Sequence, residues 1–208
     1  MNFIGEEYMG LNNLLRLNEQ EAAQLLQDYW DQRKVFLGEL ARRAQACGIA
    51  LPRCALRYRR GHLLSLGMFL QTALRAGAPS PGVPAVSPWL AELHDPIDAN
   101  EGLSEVDIWF GVATSYAFAG VLLNAVSGAQ LGFGREESRR YVYQNQPVIK
   151  GKWYDQGNVV DISPLAVARS AVRDIKGGEE SADVLVRTFE RITRYARGQG
   201  LICEGMED

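Results

Sequence analysis

The sequence predicts an α+β fold that is predominantly α-helical, with a small, mostly antiparallel β-sheet or hairpin. Two patterns predict it: long segments whose apolar residues recur at helical spacing, and short β-branched segments separated by turn residues. The 208 residues are 47% hydrophobic and 23% charged, an ordinary globular composition. We therefore expect a single globular domain over residues 1–208.

Five helices are predicted, each from an apolar stripe with a start or stop signal. Asn18 and Glu21 form a capping box for the first helix, and Gly48 ends it. Ser163 is an N-cap that precedes Pro164 at the first helical position of the fourth helix. The predicted spans are 19–47, 62–75, 104–127, 164–176 and 181–197.

The small sheet is predicted from residues 54–59 and 141–162. In the first segment Leu56 and Tyr58 alternate with Arg57 and Arg59, which is the period of a half-buried strand. The second segment contains short β-branched or aromatic stretches at 141–143, 148–149 and 158–162 with turn residues between them.

Residues 76–103 hold five of the eight prolines, which exclude a continuous helix or a central strand. We predict a Pro-rich surface loop there. Because Trp89, Leu90 and Leu93 lie within it, we expect the loop to pack across the domain surface.

Residues 108–134 carry no charge, and their number suffices for a membrane span. Polar residues and glycines dilute the stretch, so we predict a buried central helix and no membrane contact. The three cysteines form no C-x-x-C unit, and Glu6 and Glu7 stand where a secretory signal would be basic and apolar. We expect a cytoplasmic protein with free thiols.

The net charge of −3 is unevenly distributed. Residues 32–75 contain nine basic residues and one acid, between two acidic stretches. Their centre is a group on the predicted strand and turn: Arg53, Arg57, Tyr58, Arg59 and Arg60. Arginine binds phosphate through its planar fork, and a neighbouring ring can stack on a base. The alternative is that residues 1–31 and 76–107 neutralise these arginines.

A second basic group lies on the last predicted helix, where Arg187, Arg191, Arg194 and Arg197 share one face. This face is either a solvated row offset by nearby acids or a binding surface. Arg169, Arg173 and Lys176 repeat the spacing on the preceding helix. If the two faces adjoin, seven basic groups would line a groove.

We expect a non-enzymatic nucleic-acid-binding or accessory subunit that contacts the phosphates of DNA or RNA through these arginines. The alternative is a protein-binding inhibitor, an immunity or antitoxin-like protein, or an assembly subunit. It would act through the Trp89 loop and its acidic flank, Asp95, Asp98 and Glu101.

An enzyme is the third class, and it would need a cleft in which Glu, Asp, Tyr or Cys replaces histidine. His62 and His94 are the only histidines and no catalytic motif contains them, so we assign no catalytic residue. No cofactor or metal is predicted, because the cysteines are scattered and Pro96 interrupts the only His and acid cluster.

Overall fold

The computed structural model describes residues 17–75, 83–87, 90, 103–134, 145–153 and 160–203. This part of the chain forms five α-helices and a three-stranded antiparallel sheet, which confirms the predicted fold class. The helices are α1 (Glu19–Ala46), α2 (Arg60–Arg75), α3 (Glu105–Ala125), α4 (Pro164–Gly177) and α5 (Val184–Gly198). The strands are β1 (Gln130–Phe133), β2 (Pro147–Gly151) and β3 (Val160–Ile162).

Helix α3 is the central helix, and α1, α2, α4 and the sheet pack around it. Its length and mean hydropathy of 1.5 would suit a membrane span, but 89% of its most apolar window is buried inside the protein. One of its buried polar residues, Ser115, is satisfied by hydrogen bonds within the core. Ser115 donates a hydrogen bond to the Val112 carbonyl at 2.7 Å, and its hydroxyl oxygen lies 3.0 Å from that of Tyr29 on α1. The central helix is thus buried, as predicted.

Caps set the starts of three helices. Asn18 and Glu21 form the predicted capping box of α1, and Ser104 and Asp107 form one for α3. Ser163 caps α4 by accepting a hydrogen bond from the Ala166 amide at 3.2 Å. These signals are local in sequence, and the predicted helix bounds agree with the observed ones to within about three residues.

The sheet has the order β1-β2-β3, with Ile149 of β2 opposite both Leu131 and Ile162. The strands predicted at 148–149 and 158–162 correspond to β2 and β3, while residues 141–143 lie outside the described residues. Strand β1 was not predicted, because its glycine-rich surroundings were interpreted as a helix end. Gly128, with a φ of 78°, makes the turn that separates α3 from β1.

The predicted strand at 54–59 is wrong. Residues Ala55–Arg57 form a 3-10 helical turn, in which Ala55 and Tyr58 are buried and the residues between them are exposed. The backbone of Ala55 lies directly against Gly120 of α3, and Asn124 of α3 donates hydrogen bonds to the carbonyls of Leu56 and Tyr58 at 2.9 and 3.2 Å. These contacts satisfy backbone groups that a strand would pair with a neighbouring strand.

The described part of the Pro-rich segment packs against the protein. Val83 and Val86 contact the hydrophobic core, and Leu90 is fully buried. Gln32 on α1 donates a hydrogen bond to the Ser87 hydroxyl at 3.2 Å. Of the three apolar residues on which the expectation was based, Leu90 is the described one, while Trp89 and Leu93 lie outside the described residues.

Candidate functional site

Two arginines at the 3-10 turn have free side chains: Arg57 within the turn and Arg53 two residues before it. Both are exposed, and neither side chain forms a hydrogen bond or ion pair with any residue that the structure describes. The turn itself is held by Asn124 and by the close approach of Gly120. A fixed backbone with free guanidinium groups is suited to binding an anion, because little backbone entropy is lost on contact.

Tyr58 does not belong to this exposed surface, although it was grouped with the arginines as a ring that could stack on a base. Its ring is fully buried and lies edge-on to the His62 ring, with 5.8 Å between the centroids. Burial raises the pKa of the Tyr58 hydroxyl, which has no hydrogen-bond partner among the described residues. The ring anchors the turn to the core and is not available to stack on a base.

The guanidinium of Arg59 is hydrogen-bonded to the backbone of the preceding residues. Its Nη1 donates hydrogen bonds to the carbonyls of Leu56 and Tyr58 at 3.1 and 3.0 Å. Its amide donates to Nδ1 of His62 at 3.0 Å, so this imidazole accepts in its neutral form. Burial and the charge of Arg59 lower the pKa of His62, which favours that neutral form.

Arg60 connects the turn to the last helix. Its guanidinium pairs with Glu190 of α5, with Nε 3.2 Å from Oε1. Seven residues further along α2, Gly67 lies against the carbonyl of Ala182, just before α5. Residue 60 is thus beside residue 190 and residue 67 beside residue 182, so α2 and α5 run antiparallel. The part of α5 after Glu190 therefore extends toward the 3-10 turn.

The arginines of α5 differ in their pairing. Arg187 pairs with Glu180 and, at 3.2 Å, with Asp183. The side chains of Arg191 and Arg194 are exposed and make no hydrogen bond or ion pair within the described part of the chain. The apolar stripe on the opposite face is buried as predicted, through Leu185, Phe189, Ile192 and Ala196. Because α2 begins soon after the 3-10 turn, the antiparallel arrangement puts Arg191 and Arg194 on the part of α5 that extends toward this turn.

A groove of about 710 Å³ separates α4 from α5. Its lining is mixed and comprises Ala166, Val167, Ser170, Ala171, Asp174, Glu180, Val184, Arg187, Thr188, Glu190, Arg191 and Arg194. The expected groove of seven basic groups is not formed. Arg169, Arg173 and Lys176 lie on another face of α4, where Arg173 pairs with Asp174 at 2.9 Å and Lys176 with Asp107 at 2.6 Å.

The residues assigned to the alternative protein-binding site, Trp89, Asp95, Asp98 and Glu101, lie outside the described residues. Sequence reasoning missed an exposed apolar pair, Leu64 and Met68, which are 45% and 51% exposed on α2. Their spacing of four residues puts them on one face of α2. In the sequence they form a second row of apolar residues, next to the row that is buried in the core.

In comparisons with protein-family models, with curated proteins and with solved structures, nothing matched the chain. The fold class, predominantly helical α+β, is therefore known from the structure itself.

Proposed function

We propose that this protein is a non-enzymatic nucleic-acid-binding or accessory subunit that contacts phosphates through Arg53, Arg57, Arg191 and Arg194. The observation that carries the proposal is that these four guanidinium groups are exposed and lack a carboxylate partner among the described residues. Permanently charged, unpaired arginines bind phosphate oxygens and release counterions from the nucleic acid.

The pairing of nearby acids supports the proposal. In the acidic stretches that flank residues 32–75, Asp31 pairs with Arg33 at 3.7 Å and Asp107 pairs with Lys176. On α1, Glu39 is held by Arg42 and Arg43. None of these described carboxylates contacts the four arginines.

The test is a salt titration of binding to short DNA and RNA, followed by fluorescence anisotropy. Binding should weaken steeply between about 50 and 200 mM salt, and each of Arg57→Gln, Arg191→Gln and Arg194→Gln should reduce the logarithmic salt slope by about one. Arg75→Gln is the matched control, because Arg75 is exposed at the far end of α2. Absence of binding at low salt, or binding without a salt slope, would refute the proposal.

A second candidate is the protein-binding subunit, which the exposed Leu64 and Met68 favour. An apolar pair on an exposed helix face suits a protein partner. Leu64→Glu with Met68→Glu should release a stoichiometric protein that co-purifies from the native host, while Arg57→Gln should not. Unchanged co-purification in the Leu64 and Met68 variant would exclude this surface.

The three cysteines are free, and this supports a cytoplasmic location as part of the same proposal.

We also propose that residues 1–208 form one domain, since buried apolar residues from each of the five helices belong to one hydrophobic cluster.

A further inference from the structure

The groove between α4 and α5 is lined by apolar as well as polar residues, and we call its apolar part the floor. Ala166, Val167 and Ala171 of α4 and Val184 of α5 form the apolar part. Its volume of about 710 Å³ falls within the usual range of ligand sites, about 300–1,000 Å³. The groove is therefore large enough for an organic ligand rather than a simple ion.

The acidic residues that line this groove are neutralised by ion pairs, whereas two of its arginines are not. Its three carboxylates each have a guanidinium partner: Asp174 has Arg173, Glu180 has Arg187 and Glu190 has Arg60. Arg191 and Arg194 have none among the described residues. The groove thus offers two unpaired cations beside neutralised acids, and this favours an anionic ligand.

Two hydroxyl groups provide uncommitted hydrogen-bonding capacity. Ser170 on α4 and Thr188 on α5 both line the groove, and neither side chain has a hydrogen-bond partner in the described ranges. A hydroxyl both donates and accepts, so it can bind the donor and acceptor edges of any base.

We propose that this groove holds a segment of single-stranded nucleic acid, with bases against the apolar floor and phosphates on Arg191 and Arg194. The inference rests on the proposed phosphate binding and specifies its substrate class. Arg191 and Arg194 are one helical turn apart and can contact one strand together. A duplex keeps its base faces stacked inside, so it can use the arginines but not the floor.

The test compares a single strand, a duplex of the same sequence and inorganic polyphosphate, which has no bases. The native protein should bind the single strand about tenfold more tightly than the duplex, the factor that about 1.4 kcal/mol of base contact would give. Ala166→Leu fills the floor and should remove this preference while leaving duplex affinity unchanged.

Thr188→Leu is a second variant, and it fills the groove from α5. Ala166 and Thr188 are both only half-buried, so a leucine side chain at either position can extend into the groove. Ala23→Leu, at an exposed position of α1, is the matched control and should keep the preference. Equal binding of all three polyanions would overturn the groove inference but leave phosphate binding intact. Unaltered strand preference in both groove variants would also overturn it, and no binding of any polyanion would refute both proposals.

Discussion

At the residue scale, Gly120 decides how closely the 3-10 turn approaches the central helix. A Cβ atom at this position would lie 2.1 Å from the Ala55 carbonyl oxygen, which is a backbone atom that cannot rotate away. Gly120 therefore permits the contact that fixes the 3-10 turn, and with it the backbone beside Arg53 and Arg57.

We expect Gly120→Ala to lower the free energy of unfolding by about 1–3 kcal/mol, because the turn must move to admit the methyl group. Denaturant unfolding followed by circular dichroism measures the change. Gly38→Ala on α1 is the control: nothing lies within 4 Å of a Cβ there, so it should stabilise the protein by about 0.5–1 kcal/mol. Equal stabilisation by both substitutions would contradict the close contact.

At the element scale, Asp107 couples the start of α3 to the end of α4. Its Oδ2 accepts hydrogen bonds from the Ser104 amide at 2.8 Å and from Nζ of Lys176 at 2.6 Å. Burial on its own would raise the pKa of Asp107, but the hydrogen bonds from Lys176 and Ser104 outweigh it and hold the pKa below its usual value. The ionised carboxylate is therefore the form that stabilises the fold.

We expect Asp107→Asn to destabilise the protein at neutral pH by about 1–3 kcal/mol, since a charged hydrogen-bond acceptor is lost from a buried position. The folded pKa is depressed, so the contribution of Asp107 is complete above the unfolded value of about 3.9 and is lost as the pH falls through the folded pKa. Unfolding measured from neutral to acidic pH should show the two proteins converging in acid.

Lys176→Gln is the companion variant, because it removes the ion pair and keeps the capping bonds. It should cost less than Asp107→Asn. A stability difference between Asp107→Asn and the native protein that does not vary with pH would disprove the role of the carboxylate charge.

At the scale of the whole molecule, Glu190 lies between the arginines near the 3-10 turn and those of α5. It pairs with Arg60 of α2 and lies on α5 between Arg187 and Arg194. This partly exposed pair contributes at most about 1 kcal/mol to stability, so its main consequence is the charge of the surface.

We expect Glu190→Gln to strengthen nucleic-acid binding and to steepen its salt slope by about one, because Arg60 becomes free to contact a phosphate. Asp28→Asn is the charge-matched control, since Asp28 is exposed in the first half of α1 and contacts Gln24. Parallel salt titrations give the comparison. Weaker binding by Glu190→Gln, or an equal gain in the control, would count against the proposed surface.

The helices could be predicted from sequence because their causes are local. Asn18 with Glu21, Ser104 with Asp107 and Ser163 with Pro164 supply the start signals within three or four residues, and the apolar period supplies the buried face. The sequence by itself thus determined the fold class, the central helix and the basic row of α5.

The tertiary structure decided the features whose causes lie far away in the chain. Residues 54–59 form a turn because Gly120 and Asn124 meet their backbone, and β1 is a strand because β2 pairs with it. The arginines could be counted from sequence, but only the fold assigns Arg60 to Glu190 and leaves Arg57, Arg191 and Arg194 without a carboxylate from the part of the chain that the structure describes. An ion pair depends on distance in space, and local periodicity carries no information about that distance.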